Sequence, residues 1–217
     1  MKTIKDTKPL IKPLLRGHSH QAAFFFALGA CAVLLLNAHG TRTIVATIIY
    51  SFSLIGLFGI SAVYHRPTWQ PQQRMWMRRM DHAAIYVLIA GTSTPICLLA
   101  LSPMAGMKLL ELVWSAALFG IIQSLFWVTA PKWVSSVLYV TVGCLIVPYL
   151  PELKAALTMN DVWLILTGGV VYVIGAIIYA LRRPNPNPKI FGYHEIFHLL
   201  VIAGAGFHFL VIYKLIK

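Results

Sequence analysis

Seven runs of mostly apolar residues, near 22–38, 43–64, 81–101, 108–129, 133–150, 161–181 and 194–213, occupy most of this 217-residue chain and leave only short connections. A helix needs about 20 such residues to cross a bilayer. The expected fold is therefore all-α, a polytopic membrane protein with seven transmembrane helices. It divides into a basic amino-terminal segment (1–21), one transmembrane domain (22–213) and a short tail (214–217). A composition of 59% hydrophobic and 11% charged residues, with a mean hydropathy of +0.75, excludes an ordinary soluble domain. Breakers fall between the runs: Gly40-Thr41, Pro67 with Pro71, Ser102-Pro103, Pro131, Pro151 and the stretch Pro184-Asn185-Pro186-Asn187-Pro188. Proline lacks the amide donor a helix interior needs and biases its predecessor away from helix.

The charge balance then orients the bundle. Lys and Arg number 18 against 6 Asp and Glu, which in a soluble chain would point to nucleic acid. No basic surface segment of useful length remains outside the spans, so nucleic acid is not an expected partner. Thirteen of the basic residues fall on one side: Lys2, Lys5, Lys8, Lys12 and Arg16, then Arg66, Arg74, Arg78 and Arg79, then Lys132, then Arg182, Arg183 and Lys189. The other side holds five, Arg42, Lys108, Lys154, Lys214 and Lys217. Basic loops stay in the cytoplasm, which predicts a cytoplasmic amino terminus and, with an odd number of spans, a carboxyl terminus outside.

Lys2 to Arg16 followed by an apolar run resembles a secretory signal, but the run continues past Cys31 with no small-residue cleavage site. It reads as an uncleaved first helix. The three cysteines, Cys31, Cys97 and Cys144, are odd in number and show no paired spacing, so neither a disulfide framework nor a cysteine metal site is expected. Trp114, Trp127, Trp133 and Trp163 read as interfacial anchors near span ends, and Asp161 as the N-cap of the sixth span. Gly168, Gly169 and Gly175 suit close helix packing in that span.

Ionisable residues inside spans are expensive and are paired or functional. Ser61 and His65 close the second span, Asp81 and His82 open the third, and His194, Glu195 and His198 open the seventh. The derived orientation puts all three groups in one cytoplasmic layer. Ser61/His65 and His194/His198 are i,i+4 pairs, so each shares a helix face one turn, about 6 Å, apart. Three imidazoles with a fourth position open form the catalytic type of zinc site, and His65, His194 and His198 are the candidate ligands for Zn2+. Asp81 is the candidate base for a water at that site, or an ion-pair partner of Arg78 at i−3. Ser61 either orients a reacting group or bonds back to its own helix.

His194-Glu195-Ile196-Phe197-His198 also matches the H-E-x-x-H metalloprotease pattern. An intramembrane protease commonly takes a further acidic ligand downstream, and Glu195 is the last acid in the chain. Glu195 is expected to meet headgroups or a basic loop residue instead. His82 projects off the face of Asp81 and reads as a packing or supporting residue. His208, 14 residues beyond His194 and so about 21 Å along the helix, cannot share the metal. His18, His20 and His39 carry no usable spacing.

These motifs resemble the hemolysin III family, the bacterial branch of the progestin and adipoQ receptor group within a ceramidase-like membrane hydrolase superfamily. The resemblance is carried by Ser61-Ala62-Val63-Tyr64-His65, Asp81-His82-Ala83-Ala84-Ile85-Tyr86, Ala90-Gly91-Thr92-Ser93-Thr94-Pro95, and His194-x-x-x-His198 through His208-Phe209. It implies zinc on His65, His194 and His198, with Asp81 and Ser61 beside it, and it gives Glu195 no place in the metal motif. It also implies seven spans with a cytoplasmic amino terminus, in a bacterial inner membrane. Bacterial relatives often carry a more acidic amino-terminal helix, whereas Lys2 to Arg16 here contains one acid, Asp6.

Three functions follow as expectations. The first is zinc-dependent hydrolysis of an amide in a membrane lipid, a sphingolipid or another N-acyl lipid, in the manner of a ceramidase. The second is a receptor-like regulator of membrane lipid state in which zinc is structural. The third is a cytolytic pore, although a conducting path needs polar residues along several helices and spans one, five and six offer only scattered Ser, Thr and Asn.

Overall fold

The computed structural model describes residues 12–217; Lys2, Lys5, Asp6 and Lys8 of the basic amino-terminal segment lie outside the described residues. Eight α-helices follow in order: α1 (His18–Asn37), α2 (Thr41–His65), α3 (Pro71–Leu99), α4 (Pro103–Phe126), α5 (Lys132–Gly143), α6 (Leu150–Ala156), α7 (Met159–Leu181) and α8 (Tyr193–Ile216). A 3₁₀ segment, Cys144–Tyr149, joins α5 to α6, and these three pieces make one span, so the bundle crosses seven times. No strand occurs among the described residues, only an isolated bridge between Asn187 and Phe191. The protein is a multi-pass membrane protein.

Local chemistry sets most of the helix ends. Gln70 caps α3, with Pro71 next and Gln73 returning its side-chain oxygen to the Gln70 amide at 3.3 Å. Helix α3 therefore starts ten residues before its apolar run, because Gln72, Gln73, Arg74, Arg78 and Arg79 extend the helix without adding hydropathy. The sequence predicts that Pro151 ends the fifth span, yet the span continues to Ala156. The proline sits in the first turn of α6, where no amide donor is required. Asp161 is not the cap of α7: Thr158 is, its hydroxyl accepting from the Asp161 amide at 3.3 Å, and Asp161 lies inside the first turn. Trp114 is no interfacial anchor either. It lies midway along α4, and its indole N–H donates to Thr94 Oγ1 at 3.1 Å. Trp127, Trp133 and Trp163 are exposed near span ends as expected.

The helices close a ring: α1 on α2, α2 on α3, α3 on α4, α4 on α5, α5 on α7, α7 on α8, and α8 back on α1. Helix α3 also touches α5 and α8 and is the most buried span. Close approach relies on missing side chains. Gly91 lies against the Ser53 hydroxyl, Gly120 against the Tyr86 ring, and Gly168 against the His208 ring and the Gly204 carbonyl. Gly175 faces Leu200 and Phe197, but a Cβ on Gly169 would meet nothing within 4 Å, so no close neighbour requires glycine there. Phe25, Phe26, Leu36 and Phe52 point outward, an apolar surface that suits lipid rather than water.

Candidate metal centre

His65 is the last residue of α2, and Pro67 stops the helix from running on. Asp81 falls in α3 where the apolar run begins. His194 is the second residue of α8, and His198 comes one turn later on the same face. All four residues, with Ser61, are buried. The α1 end of the chain covers them. Gly17 has a left-handed φ of 81°, and a Cβ there would lie 2.7 Å from His65 Cβ, so only glycine lets the backbone pass so close. The Leu14 and Leu15 amides donate to the Lys189 and Ile190 carbonyls at 2.9 and 3.1 Å, and Lys12 Nζ donates to the Arg66 carbonyl at 2.6 Å. These bonds fasten the start of α1 to the end of α2 and to the segment before α8.

The three histidines meet. One ring nitrogen from each of His65, His194 and His198 lies within 4.8 Å of the other two. The Nε2 atoms of His65 and His194 are 3.2 Å apart. Two nitrogen ligands on one tetrahedral zinc, each at 2.0–2.1 Å, stand about 3.3 Å apart. Orientation agrees with distance. The ring planes are mutually inclined by 71° (His65 and His194), 61° (His65 and His198) and 64° (His194 and His198). Imidazole lone pairs lie in the ring plane, so three inclined planes can intersect at a single ion. The donor set therefore fits a metal, and three neutral nitrogens suit zinc, copper, iron or nickel rather than a hard oxygen-seeking cation.

Asp81 Oδ2 lies 3.8 Å from His65 Nε2, and no Lys or Arg makes an ion pair with Asp81 among the described residues. The alternative partner, Arg78, does not reach it. Asp81, Ser61 and His198 line an internal cavity of about 20 Å³, together with His20, Leu57, Ile85, Phe197 and Val201. A cavity of that size holds about one water.

The profile of the family described as Haemolysin-III related matches residues 9–209. The chain belongs to this family. Among the similar proteins, Hemolysin-3 of Bacillus cereus is 32% identical over 194 residues, covering 88% of this chain and 85% of its own length. The Hemolysin-3 homolog of Bacillus subtilis is 34% identical over 175 residues, covering 80% and 79%. More distantly, the human Monocyte to macrophage differentiation factor is 27% identical over 176 residues, covering 76% and 68%.

In this haemolysin-III-related chain the remaining polar residues fall into place as scaffolding. Glu195 pairs with Arg16, a basic residue of the amino-terminal segment, and its other oxygen accepts from the Gly192 amide at 2.7 Å. It thus caps α8 and anchors the segment that precedes α1. His82 is buried off the Asp81 face. His208 Nε2 is bonded to the Ile165 carbonyl at 3.1 Å, far along α8 from His194 and His198, and ties α8 to α7. His20 is the residue that sequence spacing misses. It is buried, and its ring stacks on His198. A histidine at the very start of a span looks interfacial in sequence, and only the crossing of α1 over α8 carries it inward.

Proposed function

We propose that the protein is a zinc-dependent hydrolase acting on an amide of a membrane lipid, with His65, His194 and His198 holding the ion and Asp81 as general base. The observation that carries this reading is the buried juxtaposition of three inclined imidazoles with an un-neutralised carboxylate, 3.8 Å from one of them, beside a cavity of water size. Zinc held there would polarise the substrate carbonyl as a Lewis acid. Asp81 takes a proton from the attacking water and returns it to the leaving amine nitrogen as the C–N bond breaks. Ser61, one turn from His65, offers a hydroxyl to the same cavity and orients what lies there. The buried walls exclude bulk water, which strengthens each of these interactions.

A lipid substrate is favoured by a groove of about 600 Å³ on the membrane-facing side of α1 and α2, lined by Phe24, Phe25, Ile55, Gly56, Gly59 and Ile60 among others. It extends to Ala62 and Arg66, the sequence neighbours of Ser61 and His65. Its size and apolar lining match a small-molecule or acyl-chain site. By the positive-inside rule the centre faces the cytoplasm, in a bacterial inner membrane.

The test is turnover of purified protein on short-chain and long-chain ceramides and on other N-acyl lipids, with metal content measured alongside. Zinc-dependent release of fatty acid by the wild type is expected, lost in Asp81→Asn with the metal retained. Full zinc with no turnover on any N-acyl lipid would replace hydrolysis with a structural, regulatory role for the ion. Conductance in planar bilayers is the separate measurement for a pore.

A further inference from the structure

His20 lies inside the candidate centre without any assigned role. It is 2% exposed, and neither of its ring nitrogens has a hydrogen-bond partner among the described residues. Two orphaned nitrogens on one buried imidazole are costly, since a buried polar atom without a partner has lost its hydration and gained no bond in exchange. The ring is also held firmly. It stacks on His198 with centroids 3.8 Å apart and an interplanar angle of 8°, and it meets the edge of Phe58 at 5.1 Å. The same residue lines the small cavity shared by Ser61, Asp81 and His198.

That geometry separates His20 from the ligands. An ion in the plane of His198 lies out of the parallel plane of His20 by roughly the ring separation, so the His20 lone pair cannot reach it. The other three rings, inclined by 61° to 71°, have no such obstacle. His20 therefore needs a different partner for its nitrogens, and the cavity of about 20 Å³ that this residue helps to line has room for one water.

We propose that His20 binds a water in the cavity it shares with Ser61 and Asp81, and so positions the molecule that Asp81 deprotonates. A water there gives a buried imidazole nitrogen its missing partner and leaves its other bonds for the Ser61 hydroxyl and the Asp81 carboxylate, the two or more polar neighbours that a buried water requires. The stack on His198 sets the direction of the His20 nitrogens relative to the ligand ring. This inference deepens the hydrolytic reading and rests on it for the fate of the water, though not for its presence.

The test uses the full chain in lipid or detergent as wild type, His20→Phe and His20→Gln, each loaded with cobalt(II). The Phe variant keeps a ring for the stack and removes both nitrogens; the Gln variant keeps hydrogen-bonding atoms without the ring. Three quantities are read: cobalt stoichiometry with its d–d absorption, density for a water in the cavity in an experimental structure, and kcat with KM on an N-acyl lipid. The expected result is one cobalt with an unchanged band in His20→Phe, no water in its cavity, and kcat lower by about tenfold or more at constant KM. His20→Gln should recover part of that loss. A Phe variant with wild-type water and kcat would overturn the inference, as would one that loses the metal, which would make the nitrogens ligands. A wild type that holds the water on His20 but hydrolyses no N-acyl lipid would support the inference and defeat hydrolysis. A wild type with no water there defeats the inference whatever its turnover.

Discussion

Asp161 and Asp81 are both buried aspartates, near opposite ends of the same bundle, and their surroundings differ in kind. Asp161 is fully provided for: Thr158 Oγ1 donates to Oδ2 at 2.6 Å, and Lys214 on α8 donates to Oδ1. Asp81 has no lysine or arginine in ion-pair reach among the described residues, only His65 Nε2 at 3.8 Å. Glu195 sharpens the contrast, because it shares the Asp81 end and is neutralised by Arg16. Among the described buried acids, Asp161 and Glu195 have cationic partners, whereas Asp81, beside three histidines, has no Lys or Arg partner. Burying a charge without a partner is costly, and a cation held by the three histidines, as proposed, would offset that cost.

The contrast can be broken in order of effect. Asp81→Asn should keep the metal and lower turnover by about 10²–10⁴-fold, the usual worth of a positioned acid or base; steady-state rates paired with metal analysis measure it. Loss of the metal in this variant would mean that Asp81 supports the ion rather than the chemistry. Glu195→Gln removes the charge partner of Arg16, and denaturant unfolding in detergent should show a loss of about 1–3 kcal/mol, reduced from the fully buried case because Arg16 is partly exposed. Its metal stoichiometry should stay unchanged. His208→Ala deletes the bond to the Ile165 carbonyl and leaves a gap against Gly168, so the same unfolding measurement should fall by about 1–2 kcal/mol with the metal intact. Asp161→Asn should be the mildest, about 1 kcal/mol or less, since Lys214 is half exposed, and its turnover should match wild type.

The spans and most of the centre were legible in the sequence because both depend on simple periodicities. Apolar runs of bilayer length locate the helices, and the i,i+4 spacings of Ser61/His65 and His194/His198 define faces without any tertiary information. Helix ends were less legible. The Gln70 and Gln73 pair starts α3 in a polar stretch that hydropathy cannot see, and Pro148 with Pro151 loosens the fifth span into a 3₁₀ turn instead of ending it. Thr158 took the cap from Asp161 because its hydroxyl reaches the amide three residues on, leaving the carboxylate for Lys214. His20 and Arg16 were illegible for another reason. Their partners, His198 and Glu195, lie almost the whole chain away, and only the closing of α1 onto α8 brings them together.

The most direct measurement is metal content of the purified wild type beside His65→Ala, His194→Ala and His198→Ala. One zinc per wild-type chain is expected, with little or none in any of the three variants and full occupancy in His208→Ala. A wild type without a stoichiometric metal, or histidine variants that retain it, would contradict the assignment of His65, His194 and His198 as its ligands.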